Sequence, residues 1–121
     1  MRAKTLWQSF YYAWQGFQYA LRTERNFRVH ILSVILLAAI IFWLDIPAVE
    51  AVLLFAAAFA VLICELFNTA IEKTIDLYTT RIHPLAKIAK NCAAAAVLLS
   101  AIFALIAALF IILPRIIDFV R

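Results

Sequence analysis

The sequence predicts an all-α integral membrane protein, with an N-terminal amphipathic surface helix followed by three transmembrane helices. Hydrophobic residues make up 68% and charged residues 15% of the 121 positions. The mean hydropathy is +1.01. Apolar runs recur at Val29 to Leu44, Pro47 to about Ile75, and Ala93 to Leu113. One small soluble core cannot bury that much apolar surface, whereas a bilayer can.

The first element, over about residues 6–25, reads as a surface helix because Trp7, Phe10, Tyr11, Trp14, Phe17 and Leu21 recur at spacings of three or four. Such an aromatic stripe suits the membrane interface, where Trp and Tyr prefer to sit. The spans are expected at residues 27–45, 47–77 and 85–113, in a single domain covering 1–121. The first apolar run falls short of the roughly 20 residues a span needs, so it borrows turns from its basic flank. Pro47 and Pro84 are placed to open the second and third spans, and Pro114 to close the third. No small-residue cleavage site follows the first run, so no signal peptide is expected.

Orientation follows from Lys and Arg. Arg2, Lys4, Arg22, Arg25 and Arg28 precede the first span, and Lys73, Arg81, Lys87 and Lys90 surround the second loop. The turn from Asp45 to Glu50 has none. The positive-inside rule therefore puts the N-terminus and second loop in the cytoplasm, and the Arg115 and Arg121 tail outside. The net charge of +4 flanks membrane spans instead of forming a stripe, which points to anionic lipid headgroups and not to nucleic acid. Cys64 and Cys92 lack metal or redox spacing and read as apolar fillers.

The informative stretch is Glu65 to Asp76. At about 100° per residue, Asn68, Glu72 and Asp76 lie within about 60° of Glu65 around a helix, so the four share one face. That face cannot look at lipid, since a charge near the bilayer centre costs several kcal/mol. Glu72 and Asp76, one turn apart, can hold a hard cation such as Mg²⁺. Glu65, nearly two turns deeper, is placed to act as general base for a hydroxyl arriving from the bilayer. Lys90 can offset phosphate charge, and Glu24 supplies another carboxylate at the same depth. Together these groups suit phosphoryl transfer. The same spacing also fits acids that pair with Arg25, Lys73 or Lys90 to fix packing, or that line an ion path. The single Gly16 excludes a glycine-rich phosphate loop. Small residues at Ala56 to Ala58, Ala60 and Ala93 to Ala96 allow close helix approach. Three helices alone offer little interior for three acids, so a homo-oligomer is expected.

Three blocks resemble the small bacterial membrane kinases, the diacylglycerol kinase and undecaprenol kinase family. They are Tyr12-Ala13-Trp14-Gln15-Gly16; Arg22-Thr23-Glu24-Arg25-Asn26-Phe27 with His30; and Glu65-Leu66-Phe67-Asn68-Thr69-Ala70-Ile71-Glu72 with Asp76, His83 to Lys87, Ala89 and Lys90. The resemblance runs from about Tyr12 to Pro114 and leans toward the Gram-positive undecaprenol kinases. It implies a homotrimer in the bacterial inner membrane, with active sites shared between neighbours at the cytoplasmic face. The reaction it implies is ATP-dependent phosphorylation of a membrane lipid alcohol, either undecaprenol or diacylglycerol. By matching positions, Glu65 is the base, Asn68 positions reacting groups, and Glu24 and Glu72 bind Mg²⁺ on ATP. Lys90 holds phosphate, while Tyr12, Asp76 and the Arg81 to His83 loop help seat the nucleotide. His30, a lone histidine at a helix start, reads as an interfacial packing residue. One departure stands out: the family usually has Asp where this chain has Asn91, which weakens a metal or nucleotide role at that position. It motivates an alternative, a catalytically silent lipid- or nucleotide-binding scaffold.

Overall fold

A computed structural model describes residues 4–121. It contains four α-helices and, among the described residues, no strand: α1 (Leu6–Thr23), α2 (Arg25–Trp43), α3 (Ala48–Tyr78) and α4 (Pro84–Val120). The last three are long and apolar enough to cross a membrane. Arg2, one of the orienting charges, lies outside the described residues.

Thr5 caps α1, its hydroxyl accepting from the Gln8 N–H at 3.2 Å. The surface helix stops at Thr23, because Glu24 is extended (φ −97°, ψ 114°) and serves as both the C-cap of α1 and the N-cap of α2. The corner is secured from both sides. The Arg28 guanidinium donates to the exposed carbonyls of Leu21 (3.3 Å) and Arg22 (3.0 Å) at the end of α1, where a cation also complements the helix dipole. Phe27 is wholly buried against Ala20 and Leu62, with Phe17 edge-on at 5.3 Å. Lys73 on α3 reaches over the Tyr19 ring at 5.9 Å, a second tie between α3 and α1.

At the opposite end of the bundle, α2 turns into α3 through a Schellman-type cap. Asp45 is left-handed (φ 47°), and the Ile46 N–H donates to Ile41 O at 3.1 Å. Ile46 itself is buried, as the residue after such a cap commonly is. The left-handed region tolerates Asp better than most residues, and Pro47 then blocks any continuation of α2.

The buried side of α3 is the stripe Leu54, Ala57, Val61, Leu62, Glu65 and Thr69. Spacings of three and four keep it on one helical face, which packs against α4 most extensively and α2 next. Small Ala57 on α3 and Ala93 on α4 are both buried, consistent with close backbone approach. Most other large apolar side chains face outward, as expected of helices solvated by lipid.

One expectation needs correcting. The third span does not close at Pro114; α4 continues through it to Val120. Proline removes the hydrogen bond to Phe110 O, but membrane helices tolerate this loss where neighbouring groups compensate. Arg115 Nη1 donates to Ile111 O at 2.8 Å and lies 2.7 Å from Glu50 Oε2 on α3. With its hydrogen bond aimed at Ile111, the Glu50 contact is an ion pair and not an aligned hydrogen bond. Phe119 packs edge-on to Trp43 at 5.1 Å, holding the extension against α2. Arg115, expected in the C-terminal tail, is thus a helical residue paired with Glu50 of α3.

Candidate active site

The polar functional groups gather at the end of the bundle where α1 meets α2 and α3 meets α4. Glu65 occupies a core position in the buried stripe of α3, with only 4% of its surface exposed. Its carboxylate has one close partner among the described side chains, His30 of α2, with Nε2 3.5 Å from Oε1. Thr69, one turn on, spends its hydroxyl on the Glu65 backbone carbonyl at 3.0 Å and leaves the carboxylate free.

On the same face, Asn68 Nδ2 donates to Glu72 Oε1 at 3.1 Å. This fixes the amide so that Asn68 Oδ1 is buried with no hydrogen-bond partner. Buried acceptors are nearly always satisfied, so an orphaned oxygen marks a place for a donor or a cation. Glu24, held at the α1–α2 corner, and Glu72 both act electrostatically on Glu65. Carboxylates from two separate parts of the chain therefore lie at the same end of the bundle.

A second group lies one turn further along α3. A pocket of about 380 Å³ is lined by Asp76, Arg81, His83, Lys87, Lys90 and Asn91, among others. Lys90 Nζ donates to Asp76 Oδ1 at 2.6 Å, clamping the end of α3 to the start of α4. The loop between them is shaped locally. Thr79 Oγ1 accepts from the Arg81 N–H at 3.1 Å, and His83 Nδ1 accepts from the Leu85 N–H at 3.2 Å as the N-cap of α4, with Pro84 at its first turn. Three Lys or Arg side chains against one Asp leave the pocket with a cationic surplus, suited to a polyanion such as a phosphate chain.

The structure brings together Glu24, Glu65, Asn68 and Glu72 as one group, and Asp76, His83, Lys90 and Asn91 as the other. It does not bring Tyr12 to either: Tyr12 sits on an exposed part of α1, its ring 5.9 Å from that of Tyr11, and does not line the pocket. Two residues carried no site role in the sequence. Lys87 lies three positions before Lys90, and helical spacing alone could have paired them. His30 had no such signal, because its partner is on another helix.

Among the described residues, no three of His, Cys, Asp or Glu form a metal-ligand cluster. Mg²⁺ does not require one, since it commonly takes one or two carboxylates together with waters and substrate phosphates. Glu24, Glu72 and the orphaned Asn68 Oδ1 are all hard oxygen donors, and they fit that pattern.

Buried Glu65, half-buried Glu24 and Glu72 and a pocket with a cationic surplus thus lie at one end of a bundle with three membrane-length helices, the architecture of a small membrane protein. The family model described as prokaryotic diacylglycerol kinase matches residues 11–112. A diacylglycerol kinase of Synechocystis sp. is 43% identical over 113 residues, covering 93% of this chain and 65% of the relative's length. An undecaprenol kinase of Bacillus subtilis is 39% identical over 108 residues (89% and 88%), and a diacylglycerol kinase of Escherichia coli 38% over 95 residues (78% and 78%). The chain belongs to the prokaryotic diacylglycerol kinase family.

Proposed function

We propose that the chain is an ATP-dependent lipid kinase that phosphorylates the hydroxyl of a membrane lipid alcohol, undecaprenol or diacylglycerol. The observation that carries this reading is the buried Glu65 at the meeting point of an apolar bundle and a polar, phosphate-compatible end. A lipid hydroxyl reaches that depth from the bilayer, while the nucleotide approaches from the loop side, taken to be cytoplasmic from the Lys and Arg distribution.

In this reading Glu65 accepts the proton of the acceptor hydroxyl. The acceptor oxygen bonds to the γ-phosphorus as the bond to the β,γ-bridging oxygen breaks, leaving ADP. Glu24 and Glu72 would hold Mg²⁺, which when bound neutralises charge on the β- and γ-phosphates. Asn68 orients Glu72 through its amide N–H and offers its carbonyl oxygen to the same site. Asp76 holds Lys90 toward the phosphates, and His83 shapes the loop. Assembly as a homotrimer completes the site and covers outward apolar faces; the resemblance supports this number.

Asn91 favours a second reading. It lines the pocket beside Lys90 without the charge an Asp would carry there, so a silent family member that binds lipid or nucleotide fits the same fold. Mixed micelles containing either undecaprenol or diacylglycerol, with Mg²⁺ and labelled ATP, separate the two. Phosphorylated lipid from the wild-type chain, lost in Glu65→Gln, supports the kinase. No product from either lipid, with Asn91→Asp active, overturns it in favour of the silent member. The relatives bear both substrate names at similar identity, so the two-lipid comparison also selects the acceptor.

A further inference from the structure

His30 has two neighbours that no spacing in the sequence links. One is Glu65: His30 Nε2 lies 3.5 Å from its Oε1, with the His side chain 26% and the Glu side chain 5% exposed. The other is a cleft of about 280 Å³ between α2, α3 and α4, lined by His30, Ser33, Leu37, Val61, Ala104 and Ala108 among others. The cleft is nearly all apolar. The Ser33 hydroxyl is already committed to Val29 O at 2.9 Å, so His30 is the side chain that brings uncommitted polar atoms to the cleft lining. His30 thus joins the cleft lining to the Glu65 carboxylate.

The separation is ion-pair distance, slightly long for an aligned hydrogen bond. Catalytic contacts of this kind are often loose without substrate and tighten in the reactive complex. Glu65 needs such a partner. Its carboxylate has no other close partner among the described side chains, since the Thr69 hydroxyl is spent on the Glu65 backbone carbonyl.

We propose that His30 is a positioning residue for Glu65, fixing the orientation of its carboxylate beside the His30 end of the cleft, from which an acceptor hydroxyl arrives out of the membrane. The His30 Nε2–H donates a hydrogen bond to the carboxylate, while the hydroxyl proton goes to Glu65. This rests on the kinase reading above.

The test uses the full chain in mixed micelles with His30→Leu and His30→Gln. Misorienting a catalytic group commonly costs up to about 100-fold, so His30→Leu is expected to lower kcat by roughly 10- to 100-fold while KM for ATP stays within about twofold. The Gln amide N–H can reach the same carboxylate, so His30→Gln is expected to recover much of the lost rate. Both variants should elute like the wild type in gel filtration. Wild-type kcat in His30→Leu overturns the proposal. So does an equal loss in both variants accompanied by a raised KM and lowered melting temperature, which is the mark of a packing residue. A double-mutant cycle on melting temperature, using His30→Leu, Glu65→Gln and the pair, reads the contact without turnover; strict additivity also overturns the proposal. Failure of the kinase reading looks different, since the wild type itself then phosphorylates no lipid alcohol.

Discussion

Replacing Phe27 by alanine removes the one large side chain among the described residues with no exposed surface, from a site that does more than fill space. Phe27 follows Glu24 by less than one helical turn, and its ring meets Phe17 of α1 edge-on at 5.3 Å and 78°. Ala20 and Leu62 complete the cluster, so this ring joins α1, α2 and α3 just where Glu24 must be held. Truncating a buried Phe to Ala costs about 3–5 kcal/mol, of which an edge-to-face pair accounts for about 0.5–1.5. The Arg28 bonds to Leu21 O and Arg22 O remain in the variant, so the lower end, about 3 kcal/mol, is expected. For a domain of this size that lowers the melting temperature by on the order of 10 °C. Tryptophan fluorescence in detergent micelles measures this, and a magnesium titration of turnover measures the second consequence: loosening Glu24 should raise the Mg²⁺ needed for half-maximal activity. Phe27→Leu, which keeps most of the volume, should cost less than about 1.5 kcal/mol. If Phe27→Ala melted like the wild type and kept its magnesium requirement, the corner would not be what positions Glu24.

Glu65→Gln preserves shape but removes the proton acceptor, so kcat should fall by about 10²- to 10⁴-fold with ATP binding retained; isothermal titration beside the kinase assay checks both. Chelation of divalent cations should abolish turnover, and Mg²⁺ should restore it better than Ca²⁺, whose larger, looser coordination suits the site's few ligands less well. Lys90→Ala breaks a partly exposed pair with Asp76, so the melting temperature should barely change while KM for ATP rises. Asp45→Gly relieves a left-handed residue and should stabilise the turn by up to about 1 kcal/mol, whereas Asp45→Val should destabilise it, as read by thermal melting.

The spans were legible because hydropathy is a property of consecutive residues, which lipid reads without reference to the rest of the chain. The polar face of α3 was legible for a similar reason, since helical periodicity alone puts Glu65, Asn68, Glu72 and Asp76 together. Pro114 misled because the rule that proline ends a helix is written for chains in water. In a membrane the alternative to a helix exposes more backbone to lipid, and Arg115 is anchored by Glu50 on α3, 65 residues earlier in the chain. Asn68 was legible as a site residue, but its orphaned oxygen was not, because that depends on which way Glu72 turns the amide.

By itself the sequence determined an all-helical membrane protein with a row of acids on one helix, since composition and periodicity act over a few turns. Only the tertiary structure decided that Glu24 sits in a break between two helices, that Lys90 closes on Asp76, and that His30 stands against Glu65 at the end of a cleft. Those relations join different helices, and the angle and register at which helices pack are set by side chains meeting across the interface, not by any local pattern.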